Sequence, residues 1–568
     1  MNWLDYTLII VYLIAFMSMG YFFKENKTSK DYFLGGKSLG WFPLSLSTMA
    51  TQLSAISFIS APAFVGLKQG GGMKWLTFEF GVPLAMVGIM FFVIPPLYKS
   101  GVVSVYEYLE KRFSASTRKL ISLVFQISRA LGTGVMVFTM ALIIQAVVGI
   151  SFHLTLLIIS VVTLIYSYQG GMKAVVWGDA IQMIILFLGL IICLGVGYYM
   201  MKDIGPFKGF DTSRLQVIEL DNLGIYNNEN YGFWPMLLGG LFLYLSYYGT
   251  DQTQAQRLLS AKDSSSIKKL LVANGLLRFP VVFVYCIMGL IIGYLVNNIP
   301  EFYDSIVATT KTHYPAEYAR NGIKPDLMIP VFITKYLPNG FIGILMIGIM
   351  SAAMSSLSST INSLSAVTIE DFFNSKGQLS EKKYLFTSKI LVVFWGAVCI
   401  LSAYLFGNSQ STVIEIINSI SSLFYGPILA AFILAIFFKK VNHIGMNAAI
   451  ISSVIINLIF KYLPELTYFI NQGKFYSGSE NIHQALANIG IQNVPDLFWI
   501  WYNLTGFVIA VVLATIVSKL TPKVPAKQMQ SQTYSISLQS VLTRETGILV
   551  GFFVLIIIFS VFIPQLFS

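Results

Sequence analysis

GIMSAAMSSLSSTINSLSAVTIED, residues 348–371, is an apolar stretch crowded with small hydroxyl side chains. At helical spacing Ala352, Ser355, Ser356, Ser359 and Ser363 fall on one face, because i, i+3 and i+4 neighbours stack. Inside a membrane such a face is costly unless its oxygens find partners. Two explanations stand side by side. Small residues let membrane helices pack closely, and hydroxyl and carbonyl oxygens are also the ligands that a hard cation such as sodium prefers.

Composition supplies the environment of that stretch. The 568 residues are 55% hydrophobic and 11% charged, with a mean hydropathy of +0.71. A soluble protein carries roughly a quarter charged residues. Apolar runs of about 20 residues recur along the chain, each long enough to cross a bilayer. They are continuous, not alternating as in a barrel. The expected fold class is an all-α polytopic membrane protein. About 14 segments satisfy the hydropathy rule, near 4–23, 41–66, 73–97, 119–148, 152–168, 178–201, 232–256, 268–296, 330–369, 385–406, 411–438, 443–463, 496–518 and 546–566. The whole chain, 1–568, reads as one transmembrane domain, with no room for an attached kinase or nucleotide-binding unit. The first segment lacks a basic lead-in and a small-residue cleavage site, and reads as a retained helix.

Charge sets orientation. The net charge of +11 sits mostly in alternate short loops, which argues for a cytoplasmic bias and not for nucleic acid. With the N-terminus outside, the inside loops hold Lys24, Lys27, Lys30 and Lys37; Lys99, Lys111, Arg112, Arg118 and Lys119; Lys173; Arg257, Lys262, Lys268 and Lys269; Lys376, Lys382 and Lys383; Lys439 and Lys440; and Lys519, Lys523, Lys527 and Arg544. An even number of crossings then puts both termini outside, in a plasma or inner membrane. The connections near 202–231, 297–329 and 464–495 read as long outside loops. Cys193, Cys286 and Cys399 lie in apolar segments and imply no disulfide framework. A phosphate-binding glycine loop, paired histidines and a hydrolase motif are all missing, so neither ATP-driven nor enzymatic chemistry is expected. No organic cofactor, nucleic acid or obligate protein partner is implied.

The second segment, WFPLSLSTMATQLSAISFISAPAFVG at 41–66, is a poor continuous helix: polar residues interrupt it and Pro62 follows. The seventh ends in GGLFLYLSYYGTDQTQAQR and is interrupted as well. Broken helices at membrane depth are tolerated where they line a polar cavity. Two of them five positions apart suit an inverted repeat of five plus five helices, with halves near 41–201 and 232–438. Segments 4–23, 443–463, 496–518 and 546–566 are then peripheral. An unwound turn exposes carbonyls that attract cations. Carbonyls of Ala50, Leu53 and Ala352 with hydroxyls of Ser355 and Ser356 would supply five oxygens to Na+.

Four charges stand inside apolar runs, where each needs a partner or a cavity. Asp179 is a candidate for the ion path, or an interfacial cap paired with Lys173. Glu79 and Arg278 are candidates for the solute cavity, or a structural ion pair. Arg129 could bind a carboxylate through its fork, or snorkel to the cytoplasmic interface.

These residues resemble the sodium:solute symporter family. The resemblance rests on DYFLGGKSLGWFPLSLSTMATQLSA, VYEYLEKRFS, GGMKAVVWGDAIQ, YGTDQTQAQR and SSLSSTINSLSAVTIED, spread from about residue 30 to about residue 430. It implies a leucine-transporter-type fold with discontinuous helices two and seven, and sodium-coupled import of a small solute by alternating access. It carries the main sodium site onto Ala50, Leu53, Ala352, Ser355 and Ser356, where some members have a serine in place of Ala352. Asp179 matches the family's acid on the cytoplasmic ion path. Matched to the sugar-transporting members, the solute contacts fall on Gln52, Ser54, Ser57, Phe78, Glu79, Tyr244, Tyr247, Arg278 and Asn418, with Tyr247 as an inner aromatic gate. Arg129 is similar in placement to an arginine of the sialic acid transporting members. The implied solute is a sugar, polyol or sugar acid, with a monocarboxylate or other anion or vitamin as the alternative and a channel or sensor as a distant one.

Overall fold

A computed structural model describes residues 1–23, 28–53, 55–205, 210–226, 230–315, 318–319, 322–375, 377–404, 412–474, 476, 482–492, 494–522 and 541–566. The expectations at Ser54 and at Lys24, Lys27, Lys376, Lys523 and Lys527 lie outside the described residues.

Among the described residues 11 helices are long and apolar enough to cross a membrane, or 12 with one bent pair counted as a span. In chain order the elements used below are α1 (Trp3–Phe22), α2 (Trp41–Gln52), α3 (Ala55–Gly66), α4 (Met73–Ser100), α5 (Ala115–Val148), α6 (Phe152–Ile204), α7 (Gly240–Gly249) and α8 (Gln252–Leu259). They continue with α9 (Ser264–Asn298), α10 (Met328–Tyr336), α11 (Phe341–Thr368), α12 (Glu381–Ala403), α13 (Val413–Phe437), α14 (His443–Lys461), α15 (Trp501–Leu520) and α16 (Arg544–Leu566).

α11 is buried along nearly its whole length, which makes the serine-rich stretch the axis of the molecule. α1, α14, α15 and α16 present Ile, Leu, Val and Phe outward, as helices facing lipid do. α9 crosses α3 at backbone distance: a Cβ on Gly66 would lie 2.3 Å from the Gly289 carbonyl oxygen.

The segments near 152–168 and 178–201 run on from one another over 53 residues, far longer than a bilayer needs, and they are parted at Gly171, whose φ of 55° and ψ of −148° are open to glycine and little else. Gly20 of α1 lies against Tyr166, and Phe16 and Met19 lie against Gly178, so both arms return to the same level of α1. Three other expectations are corrected. The segment near 330–369 is α10 and α11, parted at Gly340. The connection near 297–329 holds the helix Pro300–His313, and that near 464–495 holds Leu463–Gln472 and Ile482–Asn488; polar composition had read as loop. Arg112, Arg118 and Arg257 are buried, not loop charges. Arg112 donates to the carbonyls of Phe438, Lys439 and Val441, holding the chain where it leaves α13.

Candidate functional site

Both interruptions read from the sequence are present. α2 ends because Leu53 leaves the helical region, at φ −89° and ψ 72°, and α3 restarts at 52° to it. The seventh segment breaks between α7 and α8. Asp251 there has extended φ and ψ and accepts from the Thr253 amide at 2.9 Å, capping α8.

The five oxygens expected around sodium belong to buried residues. Ala50, Leu53, Ala352 and Ser355 are almost fully enclosed, and Ser356 is 8% exposed. Asp179 ties the two elements together: it accepts from Ser47 of α2 and from Ser355 of α11, each at 2.5 Å. Ser356 Oγ, and Thr48 Oγ1 on α2, have no hydrogen-bond partner among the described residues. A buried hydroxyl without a partner is costly, and a cation would engage its lone pairs. The donor set, neutral oxygens beside one carboxylate, is chemically suited to an alkali ion. It holds no cluster of His, Cys, Asp and Glu that would suit a transition metal, here or elsewhere among the described residues.

Asp179 does not pair with Lys173. Its counter-ion is Arg257 of α8, 2.7 Å away, with both side chains 2% exposed or less. Arg257 also donates to Ser47 at 2.7 Å and to Ser359 at 2.5 Å. This network joins α2, α6, α8 and α11. Sequence reasoning missed Arg257 and Ser47, although Arg257 stands in the polar end of the seventh segment.

A cavity of about 110 Å³ lies beside the break. Gln52, Arg129, Tyr247 and Asn418 line it, and so does Ser356. Thr133, Thr253 and Thr360 complete a wall rich in hydroxyls. Ser57, Phe78, Glu79, Tyr244 and Arg278 are not among the lining residues. Glu79 and Arg278 instead form a forked pair, Nε to Oε2 at 2.8 Å and Nη2 to Oε1 at 3.1 Å. Tyr244 donates to the same carboxylate at 3.0 Å, and the Phe78 ring lies tilted against that of Tyr244, 5.0 Å between centroids.

Arg129 does not snorkel. Its Nε donates to Asp251 at 2.6 Å and its Nη2 to the Tyr425 hydroxyl at 2.5 Å. The guanidinium lies 4.8 Å over the Tyr247 ring, a cation–π geometry. Its charge is therefore balanced inside the cavity wall. Asp251 was missed in the sequence, because a carboxylate at the polar end of a segment reads as an interfacial residue.

Comparison with known proteins shows the family and the fold. The model of the sodium:solute symporter family matches residues 32–454. The chain is 26% identical over 559 residues to the sodium/glucose cotransporter 1 of Oryctolagus cuniculus, covering 92% of this chain and 80% of that one. It is 26% identical over 517 residues to the sodium-coupled monocarboxylate transporter 2 of Bos taurus, covering 88% and 80%. Its fold matches a solved structure of a Na+-coupled sialic acid symporter in a substrate-bound outward-open state. That match has a TM-score of 0.71 and 22% identity, over 92% of this chain and 99% of that one.

Proposed function

Since the chain belongs to the sodium:solute symporter family, and is thereby a multi-pass, sodium-coupled transporter and not an enzyme, we propose that it imports a small polar organic solute, a sugar, polyol or sugar acid, by alternating access. The observation that carries this reading is the hydroxyl-lined cavity beside the break of the second segment, with Ser356 shared between the cavity wall and the sodium candidates. An adjoining ion and solute stabilise one another, and the coupling is reciprocal.

Sodium, as cargo, would bind between the Ala50–Leu53 end of α2 and Ala352, Ser355 and Ser356 of α11. The solute would then bind against Gln52, Tyr247 and Asn418. Ser54 and Ser57 stay candidates on the sequence match, while Phe78, Glu79, Tyr244 and Arg278 support the wall from behind. Asp179 would receive the ion as it leaves. Each charge gains about 2.3 kcal/mol per 100 mV of membrane potential, and the sodium gradient adds to that. Counting the two arms of α6, the pair α2–α3 and the pair α7–α8 as crossings supports fourteen spans, a five-plus-five inverted repeat over 41–201 and 232–438, and outside termini in a plasma or inner membrane.

Within that class charge balance favours the neutral members, a sugar or polyol, because Arg129 already has Asp251. An anionic solute, a sugar acid included, would have to displace Asp251 from the fork; a monocarboxylate or vitamin is the second reading, supported by Arg129 lining the cavity. Uptake into sealed proteoliposomes tests both. The expected result is accumulation of a sugar, polyol or sugar acid above its outside concentration, only with an inward sodium gradient. Equilibration without accumulation would point to a channel. Ser355→Ala with Ser356→Ala should abolish the sodium stimulation in a protein that still folds; an undiminished stimulation would remove the sodium assignment.

A further inference from the structure

The loop at 101–106, after α4, is buried: Val102 to Tyr106 are 7% exposed or less. Connections ordinarily run over the surface because their backbone groups need partners. Here one distant side chain supplies two of them. Gln252 Nε2 donates to the Val103 carbonyl at 2.8 Å, and the Val105 amide donates to Gln252 Oε1 at 2.9 Å. Gln252 begins α8, the second half of the broken seventh segment.

The same loop holds α11 with its next side chain. Ser104 Oγ donates to Asp371 Oδ2 at 3.0 Å, where α11 runs on into the turn Ile369–Phe373. Arg118 Nε donates to Asp371 Oδ1 at 2.6 Å, and Ser122 donates to Asp371 as well. Arg118 also reaches Glu110 at 2.7 Å and the Glu370 carbonyl at 2.9 Å. Glu110 of EYLEKRFS, and Glu370 and Asp371 of the TIED end of α11, belong to motifs that the ion and solute sites leave unused. α8 is further fastened to α11 directly, Thr253 to Ser363 at 2.9 Å and Gln256 to Asn362 at 2.8 Å.

We propose that Gln252 and Asp371 are positioning residues for sodium release: through the 101–106 loop they latch α8 against the end of α11, on the face assigned as cytoplasmic. The latch opens when the ion leaves. The idea rests on the alternating-access reading above, because a static scaffold would have no use for a clasp between a broken helix and the axial one. Gln252 is suited to the role. An amide that pairs with one backbone donor and one acceptor is strong when closed, yet leaves no buried charge behind when it opens.

The test is thiol labelling from the cytoplasmic side. Ala366 is fully buried on α11, three residues beyond Ser363. Ala366→Cys, in a chain with Cys193, Cys286 and Cys399 changed to Ala, reports opening to a membrane-impermeant maleimide. Losing two hydrogen bonds should shift the opening equilibrium about tenfold. Gln252→Leu is therefore expected to label about tenfold faster and to need more sodium for half-maximal uptake. Gln252→Glu keeps the acceptor for Val105 and should fall between. Unchanged labelling overturns the proposal, whether uptake is kept or lost, since a merely structural role would lower uptake without opening the path. If Gln252→Leu does not reach the membrane, Ser104→Ala removes the latch from its other end and is read the same way. Absence of sodium-coupled uptake in the unmodified protein would defeat the symport reading instead, while the labelling comparison still reports on the latch.

Discussion

Asp179 is a carboxylate whose ligands come from three separate helices, and the value of each depends on the others. Asp179→Asn would leave Arg257 buried without a counter-charge, which costs roughly 3–5 kcal/mol in comparable buried pairs. The expected result is a large drop in thermal stability together with loss of sodium-stimulated uptake. Asp179→Asn with Arg257→Met removes both charges, and replacing a buried pair by apolar groups is often neutral. The double variant should regain most of the stability and none of the uptake; thermal unfolding in detergent beside vesicle uptake separates the two effects. Arg278→Lys keeps a charge but loses the fork that Glu79 accepts. It should lower stability by about 1–3 kcal/mol and leave the KM for solute unchanged per folded transporter. A changed KM would return Arg278 to the solute path. Asp179, Glu79, Arg278 and Arg129 are each legible in the sequence as candidates, because a charge inside an apolar run demands an explanation. Their partners are unevenly legible. Glu79 and Arg278 could be paired on paper since both stand in such runs. Arg257 and Asp251 could not, being 78 and 122 residues from Asp179 and Arg129 and placed where a helix break reads as its end.

The second and seventh segments were legible as interrupted elements for a physical reason. A bilayer requires long apolar runs, so the polar residues that interrupt the second between Ser45 and Ser60 and end the seventh in GTDQTQAQR stand out. What composition conceals is whether a polar interval is loop or helix. The parting of the segments near 152–168 and 178–201 was legible because SYQGGMK at 167–173 is polar, but that the helix resumes at once after a single glycine, Gly171, is marked only by its φ. Close crossings are hidden in the same way, because a glycine looks alike in a kink and in a contact. The crossing of α3 and α9 gives a sharp case. A Cβ on Gly289 would lie 2.5 Å from the Pro62 carbonyl oxygen and 2.8 Å from the Pro62 Cα, and neither backbone atom can step aside. Gly289→Ala should therefore push α9 away from α3 and cost about 1–3 kcal/mol by overpacking. Gly551 on α16 has nothing within 4 Å of its added Cβ, so Gly551→Ala should leave stability unchanged or slightly raised. The folded fraction after heating, followed by size exclusion in detergent, compares the pair; equal losses would mean that the α3–α9 contact is looser than the distances imply.

At the scale of the molecule, two clasps stand at opposite ends of α4. The helix has 28 residues and so separates them by about 40 Å. One is the 101–106 loop between α8 and the end of α11. The other is Glu415 at the start of α13, which binds Lys68 beyond α3, accepts from Tyr231 ahead of α7 and takes the Thr412 amide at 3.0 Å. Alternating access requires that the two ends not open together, and a protein that exchanges two closed ends through one equilibrium must respond oppositely to damage at each. Glu415→Gln weakens the clasp on the face assigned as external. It should increase labelling of Ile417→Cys, a cavity-lining position, by a maleimide added outside, and lower the sodium needed for half-maximal uptake, because the state that receives sodium becomes more populated. Gln252→Leu should do the reverse on both counts. Sites this far apart and without shared partners add, so the combined variant should label from outside at nearly the unmodified rate while turning over faster and less tightly coupled. If the two variants instead raise labelling from both sides at once, the ends open independently, and the molecule would conduct sodium without carrying solute.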